Sequence, residues 1–182
     1  MRRRVKNNTV LKMVLTALMI ALTFVAGSVI KIPTLNGFIQ VGDCMVLLGA
    51  VLLGRRRGAL SGALGMALVD ITAGYLIWAP FTFVIKGLMA YSVAIILERA
   101  NSINYKTYVI AFIVGGFINV IGYFIGNAII VGVIIGDAQG ILQSMVYALA
   151  NIMGDTIQST LGVIIALIIA PSINKVRLTL DF

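Results

Sequence analysis

In residues 58–98, GALSGALGMALVDITAGYLIWAPFTFVIKGLMAYSVAIILE, two apolar runs, 58–76 and 80–98, are parted by a short turn. Asp70 lies inside the first run and Lys86 inside the second. About 20 apolar residues cross the hydrocarbon core as an α-helix, so both runs read as membrane-spanning helices. Pro80 falls in the first turn of the second, where its missing N–H breaks no helical bond. Strands of a membrane barrel would alternate apolar and polar residues, and these runs do not. An ionisable side chain at the centre of such a helix costs about 2.5–3.5 kcal/mol on insertion scales. It therefore faces a bundle interior, pairs with another charge, or meets a ligand.

Outward from this pair, four more apolar spans lie near 10–31, 40–54, 107–135 and 142–170. The 40–54 span is short and lies oblique or crosses incompletely; the last two are long enough to tilt or protrude. Pro33 sits in the first outer loop, and Pro171 is placed to stop the last span. The chain is 60% hydrophobic and 11% charged over 182 residues, against about 25% charged in a soluble domain. The expected fold class is an all-α integral membrane protein, a six-helix bundle forming one domain over 1–182.

The net charge of +8 is distributed by position. Of the 14 basic residues, all but Lys31 and Lys86 fall at the N-terminus, in the 54–58 and 99–106 connections, or at the C-terminal tail. The connections 31–42, 75–80 and 136–141 are otherwise free of them. This is the positive-inside pattern, and it predicts an even number of crossings with both termini cytoplasmic. Anionic lipid headgroups, not nucleic acid, are the expected partners of these charges. Residues 2–28 resemble a secretory signal, but the apolar run exceeds the usual signal core, so a retained first helix is expected in a multi-pass cell-membrane protein. With no histidine and one cysteine, Cys44, neither a zinc site nor a histidine-based triad can be built. No phosphate-binding Gly-Lys-Ser/Thr motif is present, so the chain does not itself hydrolyse nucleotides. No enzyme activity, metal or cofactor is expected; an intramembrane aspartyl dyad of Asp70 and Asp155 is the one catalytic arrangement conceivable.

Depth gives the polar residues an address. Asp70 lies six residues before the outer end at 76, and Lys86 six after Pro80, so each sits about 9 Å below the outer end of its helix. Asn119, Tyr123 and Asn127 share one face of the fifth span, and Tyr147, Asn151, Asp155 and Gln158 one face of the sixth, since residues four apart are neighbours on a helix. Tyr75 and Trp78 occupy the outer turn. The structural alternative is an Asp70–Lys86 ion pair, amides acting as interhelical glue, and ordinary interfacial aromatics. The functional expectation is a pocket for a small polar or aromatic molecule, bound by Asp70, Tyr75, Trp78, Lys86, Asn119, Tyr123, Asn127, Asn151 and Asp155. Small residues four apart, Gly58-Gly62, Ala59-Ala63-Ala67, Gly122-Gly126 and Ala17-Ala21, allow close backbone approach.

The run Val41-Gly42-Asp43 to Leu53-Gly54, then Gly58-Ala59-Leu60-Ser61-Gly62-Ala63-Leu64-Gly65, Asp70, Gly74-Tyr75, Ala79-Pro80-Phe81-Thr82 and Ile85-Lys86-Gly87 resembles the substrate-binding S components of energy-coupling factor (ECF) transporters. The resemblance covers essentially the whole chain. It implies a subunit that captures a vitamin or vitamin precursor outside, topples in the membrane to release it inside, and is reset by ATP hydrolysis in its partners. Those partners are a transmembrane scaffold subunit, docked through the Ala-x-x-x-Ala motif at Ala17 and Ala21, and two cytoplasmic ATPases. The segment from Trp78 to Gly87 looks most like members assigned to pyridoxine or hydroxymethylpyrimidine. Pantothenate, with its carboxylate for Lys86, is the rival; a stand-alone carrier or channel using Asp70, Lys86 and Asp155 is the alternative class. One departure is the second cytoplasmic turn, usually Gly-Pro, which here is Gly54-Arg55-Arg56-Arg57.

Overall fold

A computed structural model describes residues 9–29, 31–34, 37–130 and 141–180. The expected positions of both termini fall outside these residues, as does most of the 136–141 connection. The elements are α1 (Thr9–Val29), β1 (Lys31–Thr34), β2 (Gly37–Gln40), α2 (Gly42–Thr72), α3 (Ala79–Arg99), α4 (Tyr105–Ile129) and α5 (Ile141–Leu180). Among the described residues, four helical segments, Thr9–Val29, Ala79–Arg99, Tyr105–Ile129 and Gln143–Ile173, are long and apolar enough to cross a membrane. The protein is a helical membrane protein.

The outer helices turn one stripe inward and leave large apolar side chains outside, as a lipid-facing bundle must. In α1, Thr16, Met19, Thr23 and Gly27 are buried, while Val10, Val14, Leu18, Leu22 and Val25 are exposed. The two buried threonines donate to carbonyls four residues back, Thr16 to Lys12 at 2.7 Å and Thr23 to Met19 at 2.8 Å, so neither threonine hydroxyl is stranded.

α2 is two arms. Gly54 has φ 72° and ψ −170°, a non-helical conformation inside the element that only glycine adopts without a steric penalty. The arms 42–53 and 55–72 fold back on each other: a Cβ on Gly58 would meet Ala50 Cα at 2.7 Å, and one on Gly62 would meet Val46 Cγ1 at 2.8 Å. The four-residue glycine spacing therefore serves packing inside the chain. At about 1.5 Å per residue the first arm is only about 18 Å long, in keeping with the short 40–54 span. It is also the centre of the bundle. Val46, Leu47, Leu48, Ala50 and Val51 are at most 1% exposed, which is why this arm is apolar on every side.

The 31–42 connection carries a short antiparallel pair, β1 with β2, Ile32 opposite Ile39, a small addition to an otherwise helical fold. One expectation needs correction. Pro171 does not stop the last helix, because α5 continues through it to Leu180; a proline removes one hydrogen bond, and a helix can absorb that loss by bending. The span read as 107–135 lies in α4 as far as Ile129; residues 131–135 fall outside those described. Asn104 starts α4 as a capping box with Thr107.

Candidate binding site

Lys86 is fully buried on α3, and its ammonium is held from three sides. Nζ lies 2.6 Å from Asp43 Oδ1, donates to Asn119 Oδ1 at 2.7 Å, and stands 4.9 Å from the Tyr123 ring centre. The expected partner, Asp70, is therefore not the one that pairs with Lys86. Asp43 begins the central arm of α2, and because that arm is short and enclosed, its first turn lies inside the bundle. Sequence reading placed residue 43 at a span edge, so its burial was not foreseen.

The other oxygen of Asp43 accepts from Asn119 Nδ2 at 3.3 Å and from Gln158 Nε2 at 3.2 Å. Asn119 is oriented by its neighbours, since Lys86 can only donate and ionised Asp43 can only accept. Ser159 extends the network, with Asn119 Nδ2 at 3.2 Å from its Oγ and that hydroxyl donating to Gly116 O. Gln158 Oε1 accepts the Gln40 N–H at 3.2 Å, and Gln40 Oε1 accepts the Gly42 N–H at 2.7 Å. One connected network thus ties β2, α2, α3, α4 and α5 together. Gly162 allows α5 to approach, because a Cβ there would lie 2.7 Å from Asp43 Cβ.

Beside this network is a less satisfied region. Tyr123 OH is 3.1 Å from Thr82 Oγ1, and the Trp78 ring lies 6.1 Å from that of Tyr123 at 44°. Thr82 also lies beside Asp70. Asp70 Oδ2 and Asp155 Oδ2 are buried and find no hydrogen-bond partner among the described residues. Both carboxylates are within electrostatic reach of Lys86 and Asp43. A buried, unpartnered acceptor is costly, and a hydrogen-bond donor brought by a ligand removes that cost.

Of the residues expected to bind a ligand, the structure brings Lys86, Asn119, Tyr123 and Trp78 together, with Asp70 adjoining through Thr82. Asn127 and Asn151 donate to carbonyls one turn back on their own helices, those of Tyr123 and Tyr147. Tyr75 is half-buried, and its backbone N–H donates to Asp70 O at 2.8 Å. Asp43, Thr82, Gln40 and Ser159 were missed; Asp43 alone carried a signal, as a carboxylate opening an apolar run.

The structure is that of a membrane protein, a bundle of lipid-facing helices around a buried polar centre. The chain matches the family described as "ECF-type riboflavin transporter, S component" over residues 7–175. It belongs to that family, and so is a membrane subunit of a transporter rather than an enzyme; S components of ECF transporters work with other subunits. It is 26% identical over 172 residues to the "Thiamine precursor transporter HmpT" of Lactococcus lactis subsp. cremoris (strain MG1363), covering 93% of this chain and 91% of that one. An uncharacterised protein of Pyrococcus woesei is 33% identical over 136 residues, 75% of this chain and 82% of its own. Among solved structures, the S component for biotin from an ECF-type ABC transporter superposes with a TM-score of 0.61 at 20% identity, covering 92% of this chain and 94% of that one. That likeness extends to the fold.

Proposed function

We propose that this S component captures a small heteroaromatic alcohol, hydroxymethylpyrimidine or pyridoxine, on the outer side of the membrane. The observation that carries this reading is the end-to-end likeness to a thiamine precursor transporter. The site supports it: the tilted Trp78–Tyr123 pair offers a stacking surface, and the unpartnered oxygens of Asp70 and Asp155 suit a ligand with amino or hydroxyl donors. Tyr75, Asn127 and Asn151 complete the ligand's surroundings in this reading. Lys86 and Asn119 position the site through Asp43 and do not themselves meet the ligand. That weighs against pantothenate, whose carboxylate would have to displace Asp43 from an ammonium already fully engaged.

In this reading the chain crosses the membrane six times, counting both arms of α2, with both ends cytoplasmic. It assembles with a transmembrane scaffold subunit and two cytoplasmic ATPases. Ala17 and Ala21 form the docking face, and both are exposed on α1. The test is calorimetric titration of the purified, partner-free protein with hydroxymethylpyrimidine, pyridoxine, riboflavin, pantothenate, thiamine and biotin. One-to-one binding of either of the first two is expected. Binding of riboflavin alone would replace the cargo with the one in the family's description. Transport in liposomes without ATPases would favour a stand-alone carrier.

A further inference from the structure

At the opposite end of the bundle from Trp78, the reversal at Gly54 is followed by Arg55, Arg56 and Arg57. These line an open-mouthed cavity of about 500 Å³ with Tyr91 and Glu98. The acid is already committed: Glu98 Oε2 is 2.6 Å from Arg55 Nε, and Glu98 Oε1 accepts the Arg55 backbone N–H at 3.1 Å. One carboxylate offsets one guanidinium, so the cavity keeps the charge of Arg56 and Arg57.

Tyr91, at the cavity's wall, is also the first of an exposed apolar row. Val84, Leu88 and Tyr91 are 56%, 54% and 40% exposed and follow one another at three- and four-residue spacing up one face of α3. The second arm of α2 runs antiparallel beside them. Gly54 lies against Glu98 and Ala63 against Gly87, and that register sets Leu60, 45% exposed, across from Tyr91. A cationic pocket beside an exposed apolar helix face has the two-part chemistry of a lipid.

We propose that this is a binding site for an anionic phospholipid, its phosphodiester held by Arg56 and Arg57 and an acyl chain lying along Leu60, Tyr91, Leu88 and Val84. Guanidinium groups match phosphate oxygens with paired donors. A zwitterionic lipid brings its own ammonium and leaves the two arginines unmatched. A soluble phosphate ester would use the arginines but not the apolar row.

The test is native mass spectrometry of the full chain in neutral detergent, titrated separately with phosphatidylglycerol, phosphatidylcholine and glycerol 1-phosphate. Phosphatidylglycerol is expected to bind and the other two to bind far more weakly. R56Q/R57Q should weaken phosphatidylglycerol binding about thirtyfold, at about fivefold per basic residue, whereas R99Q/K106Q, which removes two charges from the neighbouring turn, should change it less than about threefold. L60Q/L88Q should weaken the lipid and leave glycerol 1-phosphate unaffected. Equal losses in the two charge variants would mean general attraction to the basic end of the bundle and would overturn the site. Equal affinity for glycerol 1-phosphate would overturn the lipid assignment. The substituted arginines are exposed or half-exposed, and thermal unfolding of each variant checks that its fold is kept.

Discussion

Replacing Asp43 with leucine strands the fully enclosed ammonium of Lys86. Both side chains of the Asp43–Lys86 pair are 0% exposed, so neither water nor lipid headgroups can take over from the lost carboxylate. Breaking a buried pair from one side costs about 3–5 kcal/mol. The amides of Asn119 and Gln158 lose their acceptor as well, at about 1–3 kcal/mol for each donor left unsatisfied. In a chain of this length 1 kcal/mol moves Tm by about 2–4 °C, so the pair alone predicts a fall of about 6–20 °C. Lys86→Met should do comparable damage by stranding Asp43. The double variant, Asp43→Leu with Lys86→Met, removes both charges, and such replacements are often neutral or stabilising. It should therefore unfold at a higher temperature than either single variant, short of the wild type only by the cost of the amides. Trp78 is the one tryptophan and stands against Tyr123, so its fluorescence in detergent follows the unfolding. A double variant as unstable as the summed singles would refute the pairing.

Asp70→Asn and Asp155→Asn should each weaken cargo binding roughly tenfold to hundredfold, the worth of a hydrogen bond to a charged group, without lowering Tm of the cargo-free protein; unchanged calorimetric affinity would remove them from the site. Gly162→Ala puts a methyl group 2.7 Å from Asp43 Cβ and 3.3 Å from the Cys44 backbone nitrogen. It should destabilise by about 1–3 kcal/mol through overpacking, and an unaltered Tm would show that α5 can move aside. Ala17→Trp should leave cargo binding intact and abolish ATP-driven uptake by the assembled transporter; normal uptake would place docking elsewhere.

The apolar runs were legible because crossing a membrane leaves little freedom in composition. The 58–76 and 80–98 runs became the second arm of α2 and α3, and Pro80 starts α3 as its chemistry requires. Depth counting brought Asp70 and Lys86 to one region but mispaired them. It measured from the ends of apolar runs, which assumes that every run reaches the surface. The 42–53 arm breaks that assumption, so Asp43 looked peripheral and is central. The pair at 31–34 and 37–40 left little trace in the sequence, because each strand is only four residues long and shows no clear alternation. Asn127 and Asn151 share a helical face with the pocket residues, yet spacing cannot tell an amide aimed at a ligand from one bonded to its own helix.

The brevity of the central arm bears on how the chain is made. At about 18 Å it is shorter than a hydrocarbon core of about 30 Å, so as a single helix in lipid it is less stable than the longer spans around it. The two arms joined at Gly54 are expected to enter together, and Asp43 then waits in the membrane until α3 is synthesised and Lys86 arrives. Chains halted before residue 86 should be recognised and degraded, while those halted after α3 should persist. Pulse-labelling of such truncations, beside a full-length Lys86→Met chain, would read whether the ion pair matters to the chain's making as well as to the finished fold.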